Sequence, residues 1–152
     1  MTTLFINGSP NRDGNTAHLA HILLEGTTYE TLNLVDYKIF PYGQEDFEGD
    51  QFDEVLSALR AADDIVIGAP MYWHSMSGML RNVLDRCYGP VQEGSLSGKR
   101  LWFVFQGAAP TKEQLAAGEF TMSRFAALYG MEYQGMVTSE REARAAQGGF
   151  RG

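Results

Sequence analysis

A chain of 152 residues, 44% hydrophobic and 12% aromatic, has the length of one domain and enough apolar side chains for a core, which excludes a disordered or fibrous protein. Its formal net charge of −7 has the wrong sign for a phosphate-backbone binder, so no nucleic-acid partner is expected. No apolar run reaches the ~18–20 residues that span a bilayer, and a lone cysteine, Cys87, excludes an internal disulfide and a thiolate-only cluster site.

Met1-Thr2-Thr3 lacks the basic start of a secretory signal. The expectation is therefore a reduced, cytoplasmic protein with no membrane partner, folded as a single domain over residues 1–152.

Thr3 to Asn7 is a short apolar run ending in Asn-Gly, a strand followed by a turn. Leu19, Ile22 and Leu23 mark one face of a helix that starts near Gly14–Thr16 and stops near Gly26. Tyr29 to Leu34 alternates weakly and predicts a second strand. Val35 to Gln51 has no clear period, contains Pro41, Gly43 and Gly49, and predicts a long loop, of the kind often functional in compact domains. Across its end, Glu45, Asp46, Glu48, Asp50, Asp53 and Glu54 fall within ten residues that hold no Lys or Arg. They suit a solvated loop running into a helix N-terminus, or a docking patch for a basic redox partner.

Phe52, Val55, Leu56 and Leu59 predict a second helix. Ile65-Val66-Ile67-Gly68-Ala69 is a continuous apolar strand of the type buried on both faces of a parallel sheet, ended by Pro70. Met79, Leu80, Val83, Leu84 and Cys87 form the stripe of a third helix, where Cys87 reads as a buried structural thiol. Arg100 to Phe105 is another buried strand, stopped by Gln106-Gly107. Met122, Phe125, Ala126 and Tyr129 mark a fourth helix ending at Gly130, Met131 to Val137 a last strand, and Ser139 the cap of a short terminal helix. The alternation predicts an open, doubly wound α/β sheet of five parallel strands flanked by helices.

Ligands of such sheets bind outside the carboxyl ends of the strands, which singles out three segments. After the first strand, Gly8 to Thr16 combines small residues with the hydroxyls of Ser9 and Thr16 and the amides of Asn11 and Asn15, ahead of a helix N-terminus. Such a loop can cradle an anion, although the same residues also make a well-capped turn. It lacks the Walker lysine and a clean G-x-G-x-x-G pattern, which disfavours ATP or GTP hydrolysis and suits a monoester phosphate held by neutral donors, with Arg12 available to add one charge. After the third strand come Pro70, Met71, Tyr72, Trp73 and His74. Adjacent ring-bearing residues there suit a flat aromatic ligand, or a core cap or subunit interface. His74 reads as a loop donor or exposed residue rather than a general base. After the fourth strand, Gly107 and Ala108 let a planar ring approach the main chain.

Taken together, Gly8-Ser9-Pro10-x-x-x-Gly14-Asn15-Thr16 and Pro70-x-Tyr72-Trp73-x-Ser75-Met76-Ser77-Gly78-x-Leu80-Arg81-x-x-x-Asp85-Arg86 resemble the NADPH-dependent FMN reductase family of flavodoxin-like proteins. The resemblance implies a flavodoxin-like strand order 2-1-3-4-5 and bound FMN. Ser9, Asn11, Asn15 and Thr16, with Ala17 beside them, would hold the FMN phosphate; Pro70, Met71, Tyr72 and Trp73 would line the ring, and Gly107 and Ala108 its pyrimidine side. It implies hydride transfer from NADPH or NADH through flavin N5 to a small-molecule acceptor such as a quinone, nitro compound, azo compound or free flavin. No protein side chain is expected to be catalytic, since the cofactor carries the chemistry. A homodimer or tetramer is also implied. Ile39-Phe40-Pro41-Tyr42-Gly43-Gln44 lacks the cysteines that related iron–sulfur flavoproteins carry at the equivalent place, so no iron–sulfur cluster is expected. A flavodoxin-type electron carrier and a flavin-independent α/β binding protein are the alternatives.

Overall fold

The computed structural model describes residues 1–150. Five strands run parallel in one sheet: β1 (Thr3–Asn7), β2 (Glu30–Asn33), β3 (Asp64–Tyr72), β5 (Arg100–Gln106) and β6 (Glu132–Val137), in the order β2-β1-β3-β5-β6. This is the flavodoxin-like order, with its switch point between β1 and β3. The sixth strand, β4 (Ser75–Met76), pairs antiparallel with the end of β3.

Alternation along each strand sorts the core onto two faces. Phe5, Val66, Trp102 and Val104 face one way, where α1 (Asn15–Leu23) and α5 (Glu140–Ala146) cover them. Leu4, Ile6, Ile65, Ile67, Leu101, Phe103 and Phe105 face the other, under α2 (Phe52–Ala61), α3 (Gly78–Arg86) and α4 (Lys112–Tyr129). Nearly every residue of β1, β3 and β5 is therefore buried, as apolar runs in a doubly covered parallel sheet should be. Among the described residues, no helix is long and apolar enough to cross a membrane.

Two elements differ from the sequence expectation. Pro70 does not end the third strand: it sits in register with Gln106, and β3 continues to Tyr72 before turning back at Trp73-His74 into β4. Proline is tolerated there because β1 stops pairing at Asn7–Gly68, so no ladder needs a Pro70 N–H on that side. The fourth helix begins at Lys112, ten residues before Met122, the first of the positions that mark it in the sequence reading, because Thr111 and Gln114 form a capping box. Small residues disguise this first half. At Gly118 an added Cβ would overlap the Phe105 ring, so the helix lies directly on β5.

The predicted long loop starts with a single 3₁₀ turn, Leu34–Asp36, and is then tied down rather than free. Lys38 N donates to Gln51 Oε1 at 2.9 Å, and Gln51 N to Lys38 O at 2.7 Å. Asp50 is not part of a solvated acidic face. Its carboxylate, 4% exposed, accepts from Phe40 N at 2.6 Å, Phe52 N at 2.8 Å and Arg86 Nη1 at 2.8 Å. Arg86 reaches Phe40 O at 3.0 Å and lies 3.9 Å from the Phe47 ring centre. Burial raises the Asp50 carboxyl, but Arg86 and the two backbone donors outweigh it and hold the group below its ordinary value.

Candidate functional site

The switch point brings the carboxyl ends of β1, β3 and β5 side by side, and the three segments singled out by sequence meet there. The β1–α1 loop is braced from within. Asn7, fully buried, accepts from Ser9 N at 3.1 Å and donates to Asn33 Oδ1 at 3.1 Å and Arg12 O at 3.3 Å. Ser9 Oγ accepts from Asn11 N at 3.1 Å, which leaves its own proton to donate elsewhere. Ser77, at the start of α3, donates to Gly8 O at 2.7 Å.

The loop leads into a helix end prepared for an anion. Ser77, Thr111 and Ser139 cap α3, α4 and α5 with their side chains, and Asp50 accepts from Phe52 N at the start of α2. Helix α1 starts at Gly14 with no side-chain cap and no acid in its first turn. Its first N–H groups, at Asn15, Thr16 and Ala17, are thus directed at the loop without a capping oxygen. Thr16 is fully buried, its Cγ2 lying where a Cβ on Gly68 would come within 2.7 Å, so the glycine in β3 makes room for it. Gln106 Nε2 donates to Thr16 Oγ1 at 3.2 Å, which frees the hydroxyl proton for a ligand.

A cavity of about 310 Å³ opens between these segments, lined by Ser9, Asn11, Gly14, Asn15, Pro70, Met71, Tyr72, Gln106, Gly107 and Ala108. That volume sits at the small end of the roughly 300–1,000 Å³ typical of ligand sites. None of the lining residues is charged. Arg12 does not supply the missing cation, because its guanidinium is engaged by Asp36. The cavity therefore offers neutral donors along the β1–α1 loop and a flat, partly apolar slot between Pro70–Tyr72 and Gly107–Ala108. An anionic group attached to a planar ring system matches that pattern.

Three of the sequence-selected residues do not line the cavity. Thr16 and Ala17 lie beneath its floor, 0% and 1% exposed, so only their backbone and the Thr16 hydroxyl can contribute. Trp73 projects from the hairpin tip and is 94% exposed. Trp73 and His74 both adopt positive φ, 49° and 66°, the conformation of a two-residue turn that favours Asn-Gly. His74 Nδ1 is hydrogen-bonded to the Gln114 amide. The sequence reading gave no role to Gln106 or Gln114, and placed Asn7 in the phosphate segment without its bracing role. An asparagine closing a buried strand was a usable signal for Asn7, whereas the other two depend on contacts across 90 and 40 positions.

A larger groove of about 520 Å³ lies between α3 and α4, bordered by Tyr42, Tyr88, Arg81, Asp85 and Arg124. It receives nothing from the carboxyl ends of the strands and does not combine anion donors with a slot, so the smaller cavity is the candidate site. Cys87 belongs to neither: it is fully buried, and desolvation pushes its thiol up to about 12.

Residues 1–139 match the family described as NADPH-dependent FMN reductase. Curated relatives include an iron–sulfur flavoprotein of Archaeoglobus fulgidus, 35% identical over 98 residues, which span 57% of this chain and 48% of that protein. An NADPH azoreductase of a Bacillus species is 30% identical over 87 residues, spanning 56% of this chain and 49% of that protein. The chain spans about half the length of the curated relatives it matches. Among solved structures, an NADPH-quinone reductase from P. pentosaceus superposes with a TM-score of 0.66 at 19% identity, covering 97% of this chain and 96% of that one, a likeness of fold. One expectation is corrected. The exclusion of an iron–sulfur cluster does not stand beside a relative named as an iron–sulfur flavoprotein. Counting cysteines spoke only for the 152 residues at hand.

Proposed function

The chain belongs to the NADPH-dependent FMN reductase family, and on that premise we propose that its cavity binds FMN and that the protein passes electrons from NADPH or NADH to a small acceptor. Quinones, nitro compounds, azo compounds and free flavin are the acceptor classes; the names of the azoreductase and quinone-reductase relatives support the first and third. The observation that carries the reading is the uncapped N-terminus of α1 opening into an uncharged cavity whose other walls are the ends of β3 and β5.

The residues present fit that cofactor. Ser9, Asn11, Asn15 and Thr16, with the backbone N–H groups of the first α1 turn through Ala17, would hold the phosphate. Pro70, Met71 and Tyr72 would line the ring from one side and Gly107 and Ala108 from the other, with Trp73 at the rim. FMN, when bound, supplies hydride and electron transfer at its ring, which no side chain of this set supplies. The work of the chain is to anchor the phosphate with neutral dipoles, hold the ring against main chain and leave one ring face open to a nicotinamide and then to the acceptor. With Gln106 donating to its oxygen, the Thr16 hydroxyl would have its proton left for the phosphate.

The test is the visible spectrum of purified, FMN-reconstituted protein before and after anaerobic NADPH, followed by steady-state NADPH and NADH oxidation with a quinone. Bleaching of the flavin bands and sustained turnover are expected. Flavin reduction by dithionite but by neither nicotinamide would instead indicate an electron carrier, and failure to bind FMN a flavin-independent binding protein.

A further inference from the structure

The β3–β4 turn poses a physical problem that the cavity alone does not resolve. Trp73 and His74 are bulky residues at φ 49° and 66°, where non-glycine residues cost roughly 1–2 kcal/mol each. Strained backbone of this kind persists only where its surroundings over-determine it. The two-residue β4 is a weak constraint, with Met71–Met76 and Tyr72–Ser75 as its whole register. The turn itself is tied to another element by a side-chain contact, His74 Nδ1 with Gln114 Nε2.

Gln114 is already committed at its other end. Its Oε1 accepts from Thr111 N at 2.9 Å, while Gln114 N donates to Thr111 Oγ1 at 3.1 Å. With the amide oxygen so used, only the NH₂ is left to face the imidazole, and it can only donate. His74 Nδ1 must then be an acceptor, so the ring is neutral and carries its proton on Nε2. Thr111 lies three residues beyond Ala108, which with Gly107 forms one wall of the cavity, and His74 lies two residues beyond Tyr72 on the opposing wall. One amide therefore joins the two walls of the proposed ring slot.

We propose that Gln114 is a positioning residue which clamps the strained Trp73–His74 turn to the start of α4 and thereby fixes the spacing of the slot between Pro70–Tyr72 and Gly107–Ala108. The inference rests on the flavin reading for its role, and on the hydrogen-bond geometry alone for the clamp. Because the amide can only donate, the clamp needs an accepting Nδ1 on His74. The hairpin and the Gly107–Thr111 segment contain no other titratable side chain except Tyr72, and the first turn of α4 contributes Lys112 and Glu113.

Two variants test the clamp, one by removing its donor and one by reversing the direction of its bond. Gln114→Leu removes both the cap oxygen and the clamp donor. Gln114→Glu keeps the capping box, for which Glu serves as well as Gln, and exchanges the donor for an acceptor that the Nδ1–H tautomer of His74 can meet. Nitrogen-15 NMR of the three imidazoles in flavin-free protein reads the tautomer directly. At pH 8 the native His74 is expected as the neutral Nε2–H form, Gln114→Leu as a mixed population and Gln114→Glu as the Nδ1–H form. FMN affinity at pH 8 is expected to fall about tenfold in Gln114→Leu, the scale of one lost hydrogen bond. In Gln114→Glu it should stay near the native value, because the reversed bond from His74 Nδ1–H to the carboxylate keeps the clamp.

A native His74 with its proton on Nδ1 overturns the clamp. FMN affinity that ignores Gln114→Leu overturns the positioning role. Native protein that binds no FMN removes the flavin reading and the ring-spacing role with it, while the tautomer spectrum still decides the clamp.

Discussion

Gln106 and Thr16 stand 90 positions apart, yet the Gln106 amide donates to the Thr16 hydroxyl at 3.2 Å, linking the end of β5 to the first turn of α1 beneath the cavity. Neither residue is charged, and the contact uses the hydroxyl as an acceptor so that its proton points elsewhere. Thr16→Val keeps the shape and removes that proton, and it leaves the Gln106 amide without its partner. FMN affinity is expected to fall by about 1–3 kcal/mol, and Asn15→Ala with Thr16→Ala by at least as much. Calorimetric titration with FMN checks this, and unchanged affinity in both would place the phosphate elsewhere.

The hairpin tip should show stability and binding moving in opposite directions. Trp73→Asn places at φ 49° a residue that tolerates the left-handed region, which is expected to stabilise the fold by roughly 1 kcal/mol. The same change removes an aromatic surface from the rim of the slot, so flavin fluorescence or turnover should change. Urea unfolding paired with flavin spectra measures both; a variant that is more stable and spectrally identical would take Trp73 out of the site.

The Asp50–Arg86 pair ties the 38–51 loop to α3, and its pH dependence has a definite sign. The carboxyl is held below its ordinary 3.8 in the folded chain. Its contribution is therefore complete above that value and is lost as the pH falls through the lower folded-state value. Asp50→Asn should flatten the acid limb of the stability curve below about pH 4 while lowering stability at neutral pH. Arg86→Met, which leaves a buried carboxylate unpaired, should cost about 3–5 kcal/mol. Urea titrations at a series of pH values distinguish these outcomes, and an acid limb unchanged in Asp50→Asn would assign that limb to other groups.

Gly118 lies against the Phe105 ring without room for a Cβ. Alanine is the better helix former by ~1 kcal/mol, but overpacking typically costs about 1–3 kcal/mol, so Gly118→Ala should be net destabilising. Denaturant unfolding gives the sign directly. A stabilised variant would show that α4 can shift off β5 at little cost.

Cys87 is fully buried, its thiol pushed up to about 12 by desolvation. The native protein at pH 8 should resist thiol reagents that modify the urea-unfolded chain at once, because the thiolate is the reactive form. Rapid labelling of native protein would mean that the end of α3 opens readily.

Much of the architecture was legible in order along the chain. The apolar runs at Thr3–Asn7, Ile65–Ala69 and Arg100–Phe105 are long enough, and bounded clearly enough, that their composition dictates burial on both faces. The loop motifs at Gly8–Thr16, Pro70–Trp73 and Gly107–Ala108 needed only the rule that ligands sit at the carboxyl ends of parallel strands, and most of their residues line one cavity. The boundaries that the sequence misplaced were those set by partners elsewhere. Pro70 reads as a strand end, but pairing with Gln106 carries β3 past it. Lys112 to Thr121 shows only a broken apolar stripe, Leu115 and then Gly118, yet the Thr111–Gln114 box starts a helix there.

By itself, then, the sequence determined which segments become strands, because a buried parallel strand must be apolar on both sides, and which loops could meet an anion and a ring. Tertiary structure alone decided how those loops are held. Thr16 waits on Gln106, Asp50 on Arg86 and His74 on Gln114. A hydrogen bond between residues 36 to 90 positions apart leaves no local period in the chain. Only the packing that brings both ends together makes the bond, and with it the shape of the site.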